Sequence, residues 1–415
     1  MLTRRNAVAV VLGAAAGVAG LAGRAAAAPG HPFRRGIGVH ELLNWAALDP
    51  ADKRRYAWPP FVGGSFEFDR KLFTALRSAG FDFVRVTVDP GPFLQATAEQ
   101  RASVDAVLVD RVKRLLELDL GVIVNIHPNT QSGADVPRRL LAEDGPVASG
   151  FATALASIAS ALAPLSRRAV ALEPFNEPDI AYDTAGVARW SRLQGRWHDL
   201  IRAKAPDLAI VLTGGRGGNA AGLLDLDAKR YRDSRVLWTF HYYQPHTFTH
   251  QGIETEGGGS QYWRYFSGLP YPALPSLEQA TWARVRARIE QDTTLDLMRR
   301  VETRLYARRE LSSYFASGAG PAVIAADFAA VAKWAVRNGV DPANILLGEF
   351  GVTRGETGAE EADRKAWLSD VRGAAERLGF AWSVWVATGS GGMAIVDDGY
   401  RVDRATLVAL GLAAA

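Results

Sequence analysis

The chain has 415 residues, of which 48% are hydrophobic and 22% charged, and its formal net charge is only +4. This is an ordinary globular composition, long enough for one large α/β barrel or two smaller domains. Basic residues are scattered without a long run, so we expect no nucleic-acid partner, and the absence of cysteine excludes disulfides, thiolate metal sites and cysteine nucleophiles.

The first 28 residues have the pattern of an export signal. Arg4 and Arg5 precede an apolar run over residues 7–21, and small residues follow at 25–28. The two arginines loosely resemble a twin-arginine signal. The alternative is an uncleaved membrane anchor, but the run is short and interrupted by glycines. We therefore predict a signal peptide at 1–28, a secreted or periplasmic protein without stable membrane insertion, and a single domain at 29–415.

Strands and helices alternate along the rest of the chain. Apolar runs predict strands at 35–40, 83–88, 122–126, 169–175, 208–212, 236–240, 345–347 and 381–386. Amphipathic spacing predicts helices at 70–78, 104–118, 150–162, 184–204, 328–338, 360–378 and 403–412. Eight strands alternating with helices predict a parallel sheet closed into a (β/α)8 TIM barrel.

One interval breaks this alternation. About a hundred residues separate His241 from Ile345, where one helix and two loops would suffice. The interval holds a glycine patch at 257–259, an aromatic cluster at 262–271 and a charged helix predicted at 277–309. We interpret it as an insertion between strands 6 and 7 that lies over the barrel mouth.

Two of the predicted strands each run into a glutamate. The strand at 169–175 is followed by Asn176, Glu177 and Pro178, and the strand at 345–347 is followed by Gly348 and Glu349. A buried glutamate is rare unless it has a partner. In a (β/α)8 barrel, the C-terminal ends of the strands form the rim that carries active sites. We therefore expect a two-carboxylate site.

Further candidates lie at the same rim: Arg85, His127, Asn176, His241, Tyr243 and Trp385. Glycoside hydrolysis needs one protonated and one ionised carboxyl group, and a separation of about 5–5.5 Å predicts retention of configuration. Arg85 would favour the ionised form of one carboxyl group, and Tyr243 would donate a hydrogen bond to it. Asn176 would bind a sugar 2-hydroxyl, and Trp385 offers a flat apolar face.

Each of these candidates also has a structural interpretation. His127 and His241 would either contact the sugar or support residues that do, and Arg85 would serve equally as a structural ion pair. Trp382 and Trp385 point to opposite faces of one strand, so both cannot face the barrel mouth. If Trp385 is the one that faces away from the mouth, it packs in the core instead of contacting sugar. The histidine-rich run that begins at His241 lacks a matching acidic cluster, so we expect no metal site.

Together the motifs resemble glycoside hydrolase family 5, the cellulase family of (β/α)8 retaining glycosidases. The matching stretches are NEP at 176–178, GEFG at 348–351, FVRVTV at 83–88, VNIHP at 124–128, TFHYYQP at 239–245 and WSVW at 382–385. The resemblance implies that Glu177 is the general acid/base and Glu349 the nucleophile. It also implies that Arg85, His127, His241 and Tyr243 line the subsite where the bond is cleaved.

The expected function is therefore a secreted, retaining glycoside hydrolase of the endo type, acting on β-1,4-glucan without a metal or organic cofactor. A β-mannanase, a xyloglucanase or a β-1,3-glucanase would use the same machinery. A non-catalytic polysaccharide-binding barrel is a further alternative, although it would be expected to lose one carboxylate. We also expect the insertion to act as a lid or wall that stacks on sugars through Trp263 and Tyr265. The sequence leaves the oligomeric state open.

Overall fold

The eight predicted strands close into a barrel in which all neighbours are parallel. The computed structural model describes residues 32–412 except 232, 234, 254–258, 356, 390–391, 398 and the side chains of 259–261. The strands are β1 (Arg35–Leu43), β2 (Phe83–Val88), β3 (Gly121–Ile126), β4 (Val170–Glu173), β5 (Ala209–Thr213), β6 (Val236–His241), β7 (Ile345–Glu349) and β8 (Ala381–Val384). Each pairs with the next, and β8 pairs with β1. The (β/α)8 prediction is confirmed, whereas the predicted signal peptide lies outside the described residues.

Helices surround this barrel. They are α1 (Arg70–Ser78), α2 (Gly91–Gln95), α3 (Ala98–Leu116), α4 (Val136–Leu140), α5 (Pro146–Leu162), α6 (Thr184–Lys204), α7 (Ala220–Leu224), α8 (His246–Thr249), α9 (Glu278–Gln291), α10 (Leu297–Ala316), α11 (Pro321–Asn338), α12 (Glu361–Arg377) and α13 (Arg404–Ala409). Short 3-10 turns lie at Gly64–Phe66, Ala163–Leu165, Ala228–Arg230, Gly259–Tyr265, Pro275–Leu277 and Pro342–Asn344. One stretch of the described chain, Pro146–Leu165, is long and apolar enough to cross a membrane, but α5 packs its Phe151 and Leu155 into the core.

Local capping explains where the helices differ from the sequence-based boundaries. The Thr97 side chain accepts a hydrogen bond from the Gln100 N–H, and the Gln100 side chain accepts one from the Thr97 N–H, so α3 begins six residues before the predicted start. The single charged helix predicted at 277–309 is wrong. Asp292 accepts from the N–H and hydroxyl of Thr294, which ends α9, and Asp296 caps α10.

The barrel interior begins with an apolar layer. Its buried members are Phe33, Phe83, Ile123, Ala171, Val211, Leu237, Leu346 and Ala381. Phe83 packs edge-on against Phe33 with ring centroids 5.3 Å apart. A Cβ at Gly36 would lie 2.2 Å from the Phe83 ring, so β1 needs glycine where this ring fills the barrel.

Two residues further along the strands, the interior becomes polar. Side chains on one strand repeat their direction every second residue, so Arg85 lies above Phe83 and Glu173 above Ala171. Asn125, Thr213, Thr239 and Ser383 belong to the same buried layer, and each has a buried polar atom without a hydrogen-bond partner among the described residues. The fold thus places a charged layer directly below the C-terminal rim.

Replacement of Phe83 by alanine should leave a cavity in the apolar layer and lower the free energy of unfolding by about 3–5 kcal/mol. Urea unfolding followed by circular dichroism measures this loss. Val336→Ala is the control, because Val336 on α11 is 67% exposed and its truncation should change stability by less than about 0.5 kcal/mol. Equal losses in the two variants would contradict the assignment of Phe83 to a tightly packed layer.

Candidate active site

A cleft of about 450 Å³ opens at the C-terminal rim of the barrel. Five predicted site residues line it: His127, Glu177, Tyr243, Glu349 and Trp385. Arg85, Asn176 and His241 are buried and bonded to these residues from behind. All eight predicted site residues therefore meet at one place in the fold.

Arg85 is the central cation of the site and is completely buried. Its Nε and Nη2 donate to the two carboxylate oxygens of Glu173 at 2.7 and 2.9 Å, and Nη1 donates to Glu349 Oε1 at 2.5 Å. Nη2 also donates to Asn176 Oδ1 at 2.8 Å. Burial alone would lower the pKa of Arg85, but the charges of Glu173 and Glu349 outweigh it and raise the pKa above its usual value. Arg85 is therefore a permanent cation between two carboxylates.

Glu349 ends β7 and is only 5% exposed. Besides Arg85, the Tyr243 hydroxyl donates to Glu349 Oε2 at 3.0 Å, and His241 Nδ1 lies 3.6 Å from the same oxygen. Burial and the negative charge of Glu349 raise the pKa of Tyr243 well above its usual value, so the phenol stays protonated. Hydrogen bonds from Arg85 and Tyr243 thus hold Glu349 in place, and Glu349 still lines the cleft.

Glu177 lies four residues beyond the end of β4 and differs from Glu349 in its surroundings. Its side chain is 40% exposed, and its backbone has φ of +42°, an unusual value for a non-glycine residue. Gly218 passes close by, since a Cβ there would lie 3.5 Å from the Glu177 Cα. The strained turn directs this carboxyl group into the cleft beside His241.

His241 lies between the two glutamates. Its Nδ1 is 2.7 Å from Glu177 Oε1. Burial lowers the pKa of His241, but the charge of Glu349 and the hydrogen bond to Glu177 raise it more, so the net shift is upward. The ring fits because β7 has glycine at position 348, where a Cβ would lie 3.1 Å from the imidazole.

The two carboxyl groups are close enough to act on one bond. One oxygen of Glu177, one of Glu349 and a nitrogen of His241 all lie within 4.8 Å of one another. Such a group can bind a metal ion, but Arg85 already donates to Glu349, and a divalent cation there would face a buried guanidinium. Proton transfer and nucleophilic attack fit these residues better.

His127 and Trp385 form the neighbouring wall. Their rings are nearly parallel, with centroids 6.2 Å apart. His127 Nδ1 lies 3.0 Å from Asn125 Oδ1, and burial lowers its pKa well below the usual value, so the ring is neutral. Trp385 lies over β1 at Gly38, where a Cβ would be 2.7 Å from the indole, whereas Trp382 is fully buried on the opposite face.

Another indole, Trp45, is 46% exposed at the cleft. Its Nε1 donates to His40 Nε2 at 2.9 Å, and His40 Nδ1 is 3.1 Å from the Thr87 hydroxyl. Burial lowers the pKa of His40, which favours the neutral ring that this acceptor role requires. The buried imidazole therefore orients an exposed indole.

Some residues of the site escaped the sequence analysis. Glu173 has no cleft exposure, yet it binds Arg85 through both oxygens, and the two glutamates of EPFNEP four residues apart were the available signal. The insertion contributes His246, His250 and Ile253 to the cleft. The predicted stacking role of Tyr265 is wrong: the ring is buried, and its hydroxyl donates to Asp292. Trp263 instead stacks on His246.

Known proteins resemble this chain in sequence and in fold. Endoglucanase 3 of Fibrobacter succinogenes is 25% identical over 249 residues, 59% of this chain but only 33% of that protein, so the chain spans a third of this curated relative. The structure of Thermotoga maritima Cel5A in complex with cellobiose aligns with a TM-score of 0.63 and 19% identity, covering 91% of this chain and 97% of that one. The Clostridioides difficile cellulose synthase subunit Z aligns with a TM-score of 0.59 and 21% identity, covering 91% and 99%.

These two structures share the barrel fold at low identity. The sequence profile described as Cellulase (glycosyl hydrolase family 5) matches residues 57–391, which include all eight predicted site residues. The matched range covers most of the chain and places both glutamates within the family's own domain. The chain therefore belongs to glycoside hydrolase family 5, the cellulase family.

Proposed function

We propose that this protein is an endo-β-1,4-glucanase that retains anomeric configuration, with Glu349 as nucleophile and Glu177 as acid/base. The observation that carries the proposal is the separation of the two carboxyl groups, which have oxygens within 4.8 Å of each other. Retaining glycosidases hold these groups about 5–5.5 Å apart, whereas inverting enzymes leave about 6.5–9.5 Å to accommodate a water.

In the first step, an oxygen of Glu349 attacks the anomeric carbon and the glycosidic C–O bond breaks. Glu177 gives its proton to the departing oxygen, so the leaving sugar departs as an alcohol. The different surroundings support these roles, because Glu349 is paired with the Arg85 cation whereas Glu177 is partly exposed and bonded to His241. The products of this step are a glycosyl ester on Glu349 and an ionised Glu177.

In the second step, Glu177 takes a proton from a water molecule, and the water oxygen attacks the anomeric carbon. The ester bond to Glu349 breaks, and the carboxylate returns to Arg85 and Tyr243, which donate hydrogen bonds to it. Two inversions restore the original configuration. Asn176, whose Oδ1 accepts from Arg85, would bond the sugar 2-hydroxyl during both steps.

The substrate part of the proposal rests on the aromatic faces of the cleft and on the relatives. Trp45 and Trp385 present indoles to the cleft, and such faces pack on the apolar faces of β-linked sugar rings. The relatives are an endoglucanase and a protein crystallised with cellobiose. Mannan, xyloglucan and β-1,3-glucan remain the alternative substrates, and we propose export directed by residues 1–28.

The roles of the two glutamates can be separated by substitution. Glu349→Ala should lower reducing-sugar release from β-1,4-glucan by at least about ten-thousandfold. Glu177→Ala should lower it by about a hundredfold to ten-thousandfold, because general acid–base assistance contributes that much. The substrate is identified by measuring reducing-sugar release by wild type and both variants from four glycans: β-1,4-glucan, mannan, xyloglucan and β-1,3-glucan.

Azide tests the assignment of roles, because it can replace whichever group is missing. With an aryl β-cellobioside, Glu177→Ala plus azide should yield the β-cellobiosyl azide, whereas Glu349→Ala plus azide should yield the α-azide. The reverse pattern would exchange the two roles. A wild type that binds these glycans but releases no sugar from any of them would favour the non-catalytic alternative.

The raised pKa of His241 gives stability a defined pH dependence. The native value lies above the unfolded reference of 6.5, so the interactions of protonated His241 with the glutamates stabilise the fold below about pH 6.5. This contribution is lost as pH rises through the native pKa. The difference in unfolding free energy between wild type and His241→Gln should therefore shrink as pH rises above about 6.5. Urea titrations at a series of pH values measure it, and a difference that grows with pH would refute the assignment.

His246 should bind the leaving-group sugar. Its ring faces pack against His250 and Trp263, no hydrogen bond to its side chain occurs within the described part of the chain, and its edge is exposed at the cleft. His246→Ala should lower kcat/KM on cello-oligosaccharides about threefold to tenfold, the value of one hydrogen bond, and leave aryl cellobioside cleavage unchanged. Leu305→Ala, on the exposed face of α10, is the control. Equal losses on both substrates would disprove the placement.

A further inference from the structure

Glu173 is a buried carboxylate that the two-step mechanism does not use. It is 0% exposed at the end of β4 and does not line the cleft. Burying a carboxylate costs several kcal/mol unless it is paired and hydrogen-bonded. Arg85 already has an anionic partner in Glu349, so charge neutralisation of Arg85 does not by itself require Glu173.

The hydrogen bonds show how the guanidinium is divided between the two carboxylates. Glu173 takes the Nε side through two bonds of 2.7 and 2.9 Å, while Glu349 receives one bond of 2.5 Å from Nη1. A bidentate contact fixes the plane of a guanidinium, and here it directs Nη1 at Glu349. The single positive charge of Arg85 is thus shared by the two buried carboxylates of Glu173 and Glu349.

We propose, building on the function proposed above, that Glu173 is a positioning residue that holds Arg85 in place and shares its positive charge with Glu349. If Arg85 faced Glu349 alone, its full charge would stabilise the carboxylate. A more stabilised carboxylate attacks the anomeric carbon more slowly and leaves it more readily. Glu173 therefore favours the first step, in which Glu349 attacks, over the second, in which Glu349 departs.

The opposite signs of these two effects distinguish this role from a structural one. A variant that only loosens the site slows both steps, because attack and departure need the same geometry. Removal of the Glu173 charge slows the first step and leaves the second unchanged or faster. Glu173→Gln makes this change with almost no change in side-chain volume.

The experiment follows the two steps separately with 2,4-dinitrophenyl 2-deoxy-2-fluoro-β-cellobioside. The dinitrophenolate leaving group departs without an acid, and the fluorine slows hydrolysis of the glycosyl-enzyme, so trapping and recovery are measured one after the other. Release of dinitrophenolate reports trapping, and return of activity with added cellobiose reports recovery. Mass spectrometry of wild type locates the sugar on Glu349, and failure there would refute the proposed function whatever Glu173 does.

We expect Glu173→Gln to trap on the order of tenfold to a hundredfold more slowly than wild type, as loss of an outer partner does at metal sites, and to recover at least as fast. Glu173→Asp keeps the charge and shortens the side chain, so its ratio of trapping to recovery should stay near that of wild type. Glu376→Gln is the matched control. Glu376 accepts from Arg372 at 2.8 Å and lies 3.1 Å from Arg35, away from the cleft residues, and neither rate should change.

Thermal unfolding and circular dichroism establish that each variant is folded. Equal slowing of trapping and recovery in Glu173→Gln would show that Glu173 has only a structural role. Unchanged rates would show that Glu173 has no role in either step. Either result would overturn the proposal. If the glutamine variant does not fold, the ratio of trapping to recovery in Glu173→Asp is the remaining test. A ratio of trapping to recovery that departs from wild type in that variant, despite the retained charge, would overturn the proposal.

Discussion

The guanidinium of Arg85 is the interaction on which the site depends. It joins β2, which carries Arg85, to the β4 segment with Glu173 and Asn176 and to Glu349 at the end of β7. A buried cation is tolerated only with partners of opposite charge, and a carboxylate is tolerated there for the same reason. The three charges therefore hold each other at the centre of the barrel, and loss of Arg85 would leave two buried carboxylates without their cation.

This constraint explains the layered interior. An apolar layer around Phe83 closes the lower barrel, and the charged layer lies one side-chain repeat above it. Packed rings below and a narrow cleft above keep Arg85 away from bulk water, which strengthens its field at Glu349. Glu177 stands outside this layer, on a strained turn, and its partly exposed carboxyl group lines the cleft. Two chemically identical side chains thus acquire different properties from their depth in the barrel.

The sequence predicted the parts of the molecule that depend on local pattern. Strand periodicity predicted all eight strands. The residues near the C-terminal ends of these strands supplied the eight candidate site residues, because a parallel barrel brings every strand end to one rim. Other features depended on contacts distant in sequence. Glu173 resembles an ordinary strand residue until Arg85, 88 positions away, is placed against it. Tyr265 looked like a sugar platform because nothing local shows that its hydroxyl binds Asp292. The break between α9 and α10 followed from side-chain hydrogen bonds of Asp292 that compete with the helix.

The segment after β6 links Glu349 to one wall of the cleft. Tyr243 donates to Glu349, and its ring packs edge-on against His250, which in turn contacts His246 and Trp263. The segment is tied to the chain beyond Glu349, since the Thr353 N–H donates to the Thr249 carbonyl and the Thr353 hydroxyl to that of Gln251. Glu349 and the chain just beyond it are thus both hydrogen-bonded to the segment that carries these rings. A substitution at His250 that altered sugar binding would also act on Tyr243, whereas the His246 ring lies farther from Tyr243, with centroids 6.3 Å apart against 5.1 Å for His250, so its substitution should disturb Glu349 less. The proposed selection of the leaving sugar is therefore assigned to His246 rather than to His250.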